Sequence, residues 1–158
     1  MAIAGVSTLT AAQATPQPAN GTVQKAAADL PPSAVEDFDY PSADKILKEQ
    51  GVKLIKGDGH ILLADCKGAP DLEVMAVKNQ KPVSHCFKVT GKTGYLTLEI
   101  PELVGIWEND GRTASATVTS EGKSKTVGLK KNDLTELGEG NLGTGAKEAT
   151  LVELRVKN

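Results

Sequence analysis

The sequence predicts an all-β fold, a single β-sandwich or barrel-like domain, and three observations favour this class. Short apolar segments with period-two alternation follow one another from residue 52 onward. Glycine, proline and asparagine turn signals separate these segments at intervals of about 8–12 residues, which is typical of sandwiches and barrels. The chain has 158 residues, enough to bury one substantial core.

The clearest strand pattern covers residues 85–101. Apolar residues alternate with polar ones on both sides of the segment Gly-Lys-Thr-Gly at 91–94, which places one face of each strand in a core. Two strands joined by a tight turn at 91–94 are therefore predicted. In this hairpin the glycines would supply the positive φ that a short loop requires.

The chain contains two cysteines, Cys66 and Cys86, so only one intramolecular disulfide is possible. Cys86 lies in the first strand of the predicted hairpin. Closing a loop of about 20 residues should stabilise the fold by roughly 3 kcal/mol in the chain-entropy model. The alternative, two free buried thiols in a cytosolic core, agrees less well with the export signal described below.

One short helix and further strands complete the predicted domain, residues 41–158. Ser42 can cap a helix over residues 41–51 and Gly51 can end it in a left-handed conformation, so we expect a lid packed on one sheet edge. The Gly-rich segment 138–145 is predicted to be a mobile loop. The other strands are predicted at 52–55, 60–66, 72–77, 103–107, 113–119, 125–129 and 150–156.

The N-terminal residues resemble the end of a secretory signal peptide. Ala12, Gln13 and Ala14 match the small-x-small cleavage pattern, and residues 1–14 are interpreted as a signal-peptide remnant whose basic start lies upstream of Met1. The protein is therefore expected to be secreted and extracellular. The alternative is an ordinary Ala-rich terminus. No apolar run approaches the roughly 20 residues of a membrane span.

Residues 15–40 have the composition of a disordered N-terminal arm, with four prolines and few residues that could form a core. At its end, Val35, Phe38 and Tyr40 stand among acidic residues. Two interpretations are open. These side chains fold back onto the domain, or they order on a partner protein by strand addition or by docking in pockets. Under the second, Val35, Phe38 and Tyr40 are the predicted partner-binding residues.

The sequence predicts no catalytic residue, cofactor or metal site. The two histidines, His60 and His85, have no recognisable nucleophile beside them, because a disulfide-bonded Cys86 cannot act as one. Asp58, between two glycines, is interpreted as bonding the backbone of its own turn. Trp107 is interpreted as a core residue, with a surface anchor as the alternative. A net charge of −2 and few aromatic residues argue against nucleic-acid binding.

Two stretches resemble small secreted proteins of Streptomyces-type actinobacteria. The first is Tyr-Pro-Ser-Ala-Asp-Lys-Ile-Leu at 40–47, which leads into Gly-Asp-Gly-His-Ile-Leu-Leu-Ala-Asp-Cys at 57–66. The second is the strand-turn-strand segment at 86–101. Within that group the chain is most similar to the adaptor subunits of umbrella toxin particles. The likeness covers the chain from about residue 40 to its C-terminus.

The resemblance implies a non-enzymatic adaptor in an extracellular antibacterial particle used in interbacterial competition. In that family, the adaptor joins a lectin-bearing subunit, which contains a trypsin-like domain, to the repeat ring of a large polymorphic toxin subunit. The family's N-terminal arm inserts into the trypsin-like domain, while the β domain meets the ring. Here the arm's role would fall on residues 15–40, with Val35, Phe38 and Tyr40 as anchors.

The alternative from another functional class is a secreted peptidase inhibitor on the disulfide-stapled β scaffold. It would present the segment 67–82 as a rigid loop. A glycan-binding module is a third possibility, which the scarcity of aromatic residues disfavours.

Overall fold

A computed structural model describes residues 38–157 of the chain. Two antiparallel sheets enclose one apolar core, which confirms the predicted all-β class with a short helix. The predicted signal-peptide remnant at 1–14 and the arm up to residue 37 lie outside the described residues. The elements in chain order are β1 (Phe38–Asp39), α1 (Ala43–Gln50), β2 (Lys53–Gly57), β3 (Ile61–Ala64), β4 (Leu72–Lys78), β5 (Lys81–Val89), β6 (Gly94–Ile100), β7 (Leu103–Glu108), β8 (Thr113–Ser120), β9 (Lys123–Gly128), β10 (Asp133–Glu136) and β11 (Thr150–Lys157), with 3-10 turns at Cys66–Gly68, Gly138–Gly140 and Leu142–Thr144.

The chain crosses repeatedly between the two sheets. The six-stranded sheet has the order β1-β2-β6-β11-β8-β9, and the five-stranded sheet has the order β10-β7-β4-β5-β3. Period-two alternation points every second side chain of a strand toward the opposite sheet, and these inward residues form the core. Its fully buried large side chains include Phe87 of β5, Leu96 and Leu98 of β6, Ile106 of β7 and Leu154 of β11.

Two pairs of consecutive strands, one pair in each sheet, are joined by two-residue turns. Asn79 and Gln80 connect β4 to β5 with φ of 53° and 61°, and Glu121 and Gly122 connect β8 to β9 with φ of 50° and 75°. Positive φ at both central residues is the requirement of a type I′ turn, whose twist matches that of the flanking strands. Local turn chemistry therefore sets both of these hairpins.

The predicted hairpin at 85–101 is wrong, although both of its strands exist. β5 pairs with β3 and β4, whereas β6 pairs with β2 and β11, so the connection between them crosses from one sheet to the other. Neither Gly91 nor Gly94 has a positive φ. A Cβ at either position would come within 2.7 Å of the side chain of His60 or Ile61. Close packing, not hairpin geometry, therefore requires glycine here.

The region after β9 departs most from the sequence analysis, which missed strand β10. Only Thr135 of this short edge strand is buried, so no apolar alternation marks it. The segment 138–145, predicted as a mobile loop, forms two 3-10 turns, the first packed on β7. A Cβ on Gly140 would lie 2.0 Å from the carbonyl oxygen of Val104, so close backbone approach explains this glycine.

Helix α1 packs on β2, next to the edge strand β1, with Ile46 against the core. It ends as predicted at Gly51, whose φ is 73° and whose N–H donates to the carbonyl of Leu47. The predicted cap is wrong, because the Ser42 side chain makes no capping hydrogen bond. Ser42 has a left-handed φ of 59°, whereas a capping residue is usually extended.

Cys66 and Cys86 form the predicted disulfide. It ties the 3-10 turn that follows β3 to strand β5, where Cys86 is a register partner of Ala64. Cys86 is almost completely buried. The crosslink therefore holds β3, which has one neighbouring strand within residues 38–157, in the five-stranded sheet.

Glu108, at the end of β7, is the only charged side chain buried within residues 38–157. Its carboxylate accepts hydrogen bonds of 2.9–3.0 Å from four backbone N–H groups. Three of them belong to the loop before β8, and the fourth precedes β10. One carboxylate thus organises two loops that cross between the sheets. The donors are the N–H groups of Asp110, Gly111, Arg112 and Asn132.

Candidate protein-binding surface

At the N-terminal end of the described residues, apolar side chains surround a cavity of about 220 Å³. We call this surface the junction patch and define it by Phe38, Tyr40, Pro41, Ile61 and Leu62. It joins β1, at one edge of the six-stranded sheet, to β3, at one edge of the five-stranded sheet. Edge strands can accept an extended peptide as an added strand, so β1 offers a binding edge at this patch. On β3, the backbone N–H of Leu63 is already bonded to the hydroxyl of Tyr40.

Phe38 is the most exposed aromatic side chain of the junction patch, at 58%. Its register partner across β1 and β2 is Gly57, which offers no side chain to cover the ring. A Cβ on Gly57 would lie 2.5 Å from the carbonyl oxygen of Tyr95, so packing beneath the strand excludes a larger residue. Leu62 is also partly exposed in the patch. The patch therefore presents an apolar ring to solvent, as an anchor residue requires.

Tyr40, in contrast, folds back onto the domain. Its hydroxyl accepts a 2.7 Å hydrogen bond from the backbone N–H of Leu63, and its own N–H donates to the carbonyl of Ile55 at 2.9 Å. Its ring packs against the core. The predicted arm, which runs to Tyr40, must therefore end earlier, because residues 38–40 belong to the domain. Val35 lies outside the described residues.

The loop between β2 and β3 confirms the interpretation of Asp58. Its carboxylate accepts hydrogen bonds from the backbone N–H groups of His60 at 3.0 Å and Tyr95 at 3.1 Å. Asp58 therefore organises the turn and its contact with β6. In the described part of the chain, no group of three or more His, Cys, Asp and Glu side chains is placed to hold a metal ion.

His85 is half-buried on β5, next to the disulfide-bonded Cys86. Burial and the positive charge of Lys78 lower the pKa of His85 below its usual value. The unfolded chain therefore binds this proton more readily than the folded protein does, so protonation favours unfolding. We expect the contribution of neutral His85 to stability to be complete above about pH 6.5 and to be lost as the pH falls below that value and through the folded pKa. Urea denaturation between about pH 8 and about pH 5 measures this loss.

His85→Gln should remove this part of the pH dependence of stability. His60→Gln is the matched control, and it should retain the effect because His85 is still present. If His85→Gln unfolded with the same pH dependence as the wild type, the assignment of the effect to His85 would be wrong.

Trp107 lies on the outer face of the five-stranded sheet, so the core interpretation is wrong. It is 36% exposed, whereas its neighbours in β7, Ile106 and Glu108, are buried. Strand alternation allows only one of two adjacent residues to face the core, and here Ile106 takes that position. Register places Trp107 between Glu73 of β4 and Leu134 of β10. Its position agrees with the surface-anchor alternative.

Within the segment 67–82, the loop required by the inhibitor hypothesis, residues 72–78 form strand β4 at the centre of the five-stranded sheet. β4 pairs with β5 on one side and β7 on the other, and Leu72, Val74 and Ala76 are buried. A strand paired on both sides cannot enter a peptidase cleft. The segment is therefore not one continuous loop, and outside the strands it contains residues 67–71 and the turn at 79–80.

No model of a known protein family matches the sequence, and no match is found among curated proteins. Between residues 38 and 157, no helix combines the length and the apolar character that crossing a membrane would need.

Proposed function

We propose that the protein is a non-enzymatic secreted adaptor that joins two protein subunits of an extracellular antibacterial toxin particle. One partner is a lectin-bearing subunit with a trypsin-like domain, bound through the N-terminal arm and the junction patch. The other is a large toxin subunit that contains the repeat ring. The observation that carries the proposal is the exposed ring of Phe38. The disulfide between Cys66 and Cys86 is compatible with an oxidising compartment.

The position of Phe38 supports binding by strand addition with an aromatic anchor. β1 pairs with β2 and with no other strand among the described residues, so its other side can accept an added strand. Full burial of a phenylalanine ring contributes roughly 1.5–3 kcal/mol, and most of the Phe38 ring is still exposed. Tyr40 fixes the chain immediately after this anchor through its bonds to Leu63 and Ile55. Such preorganisation lowers the entropy lost on binding.

Pull-downs with the full chain, carrying a C-terminal tag, test the proposal in culture fluid of the producing organism. Mass spectrometry of the eluate should identify two large partners in fixed proportion. Phe38→Ala should weaken binding of the lectin-bearing subunit at least about tenfold, the effect expected of an anchor residue, and should retain the toxin subunit. Leu142→Ala is the matched control. It removes an 82% exposed apolar side chain near the opposite edge of the sheet, and should retain the lectin-bearing subunit.

Deletion of residues 15–37 is the companion experiment, because it keeps β1 and Tyr40. It should abolish capture of the lectin-bearing subunit and leave the β domain folded, as circular dichroism would show. Recovery of the tagged protein alone, or undiminished capture by Phe38→Ala, would reject the proposal. Recovery of a peptidase as the sole partner would favour the inhibitor class.

A further inference from the structure

A second surface lies at the other edge of the six-stranded sheet, where β9 is the last strand. A groove of about 250 Å³ opens between β9 and the segment that contains the last two 3-10 turns. Apolar side chains form much of its lining, which also includes three lysines and Glu121. We call this surface the β9 groove and define it by Val118, Val127, Leu137, Lys123, Lys125 and Lys147.

Strand alternation places two of the lysines on the core-facing side of β9. Lys123, Lys125 and Val127 share one face of the strand. Register places Lys125 opposite Val118 and Val127 opposite Ala116, and both of these partners belong to the buried core. Lysine is rare on such a face. Here the lysines remain exposed because they lie at the open edge of the sandwich.

The positive charge of the β9 groove is only partly balanced. Lys147 forms a 2.8 Å ion pair with Glu121. Neither Lys123 nor Lys125 forms a salt bridge with any residue in the range 38–157. Two of the three lysines of the groove thus have no salt-bridge partner among the described residues, and the one carboxylate of the lining, Glu121, is paired with Lys147.

We infer that the β9 groove binds an acidic, extended segment of a partner protein. One apolar side chain of that segment fills the groove, and its carboxylates pair with Lys123 and Lys125. Charge complementarity selects an acidic partner, and the volume of about 250 Å³ suits one large apolar side chain. Within the described sheet β9 pairs only with β8, so its outer edge can bond the backbone of an added strand. The inference does not depend on the adaptor proposal, because it uses another sheet edge and other residues.

Lysines on an edge strand also discourage edge-to-edge aggregation, and that role needs no partner. The two roles make different demands on the groove. Protection needs only the charges, whereas docking also needs the apolar lining and must distinguish acidic from basic peptides. A binding experiment can therefore separate them.

Fluorescence anisotropy with the full chain and a short fluorescein-labelled peptide of alternating glutamate and leucine tests the inference. The peptide should bind, and its affinity should fall as salt is added. Peptides that alternate lysine with leucine, or glutamate with serine, should bind at least about tenfold more weakly. The first comparison tests the charges and the second tests the apolar lining.

The double variant Lys123→Glu/Lys125→Glu should weaken binding of the glutamate–leucine peptide at least about tenfold. Lys45→Glu/Lys48→Glu on helix α1 is the matched control, because it makes the same change in net charge away from β9, and it should bind as the wild type does. Thr144→Trp fills the groove from an exposed position without altering its charge, and it should also prevent binding.

Three results would overturn the inference. The first is the absence of binding to the wild type at millimolar protein. The second is an equal loss of peptide affinity in Lys123→Glu/Lys125→Glu and in Lys45→Glu/Lys48→Glu, which would indicate general electrostatic attraction. The third is equal binding of the glutamate–serine peptide, which would leave no role for the apolar lining.

Discussion

Glu108→Leu is expected to lower the free energy of unfolding by roughly 3–5 kcal/mol, because it leaves a set of backbone donors without their acceptor. The side chain is 1% exposed, and its carboxylate accepts bonds from four backbone N–H groups in two loops. Leucine has a similar volume, so the loss comes from the hydrogen bonds and not from a cavity. Urea denaturation at neutral pH measures the effect.

A second substitution at Glu108 and a control at an exposed glutamate test whether the hydrogen bonds of the carboxylate cause this loss of stability. Glu108→Gln keeps one carbonyl acceptor but turns an NH₂ group toward N–H donors, so we expect an intermediate loss of roughly 2 kcal/mol. Glu136→Ala removes an exposed carboxylate from β10 and should change stability by no more than about 0.5 kcal/mol. If Glu108→Leu were as stable as the wild type, contacts other than this carboxylate would hold the two loops.

Cys66→Ala/Cys86→Ala is expected to lower the free energy of unfolding by about 3 kcal/mol. The disulfide joins residues separated by 20 positions, so removing it frees a loop of that length in the unfolded chain. The same crosslink also holds β3, which has only one neighbouring strand among those described. Chemical denaturation of the double variant against the oxidised wild type measures the loss.

Reduction of the wild type provides the control for the disulfide prediction, because it breaks the crosslink and keeps both sulfur atoms. The reduced protein should unfold close to the double alanine variant. If both matched the oxidised wild type, the disulfide would not contribute to stability. If only the alanine variant were destabilised, the packing of the buried Cys86 side chain would be responsible.

Local patterns in the sequence determined the fold class and most of the strands. The alternation of Leu96, Leu98 and Ile100 predicts a strand with one buried face, and all three side chains are buried. This prediction succeeds because the period of a strand is a property of neighbouring residues. The disulfide between Cys66 and Cys86 could also be predicted from the sequence, because the chain contains no other cysteine.

The pairing of strands could not be predicted from adjacency in the sequence. Residues 85–101 have the pattern of a hairpin, yet both strands already have two neighbours each in separate sheets. The same limit applies to Trp107, which is apolar enough for a core but adjacent to Ile106, and only one of the two can face inward. Which strands pair, and which side chains point into the core, depends on contacts between distant segments, and local patterns do not specify these contacts.

For the candidate surfaces too, the sequence indicated the apolar side chains and only the tertiary structure showed their positions. The sequence by itself singled out Phe38 and Tyr40 as apolar side chains among acids, but it left their roles open. Only the tertiary structure separates the exposed Phe38 from Tyr40, because the hydroxyl of Tyr40 bonds to β3, which follows it in the chain and belongs to the other sheet. The β9 groove and the hydrogen bonds of Glu108 to two loops likewise form only where segments that are distant in the sequence meet. Sequence alternation therefore determined which faces are apolar, and long-range packing decided which of them remain exposed for a partner.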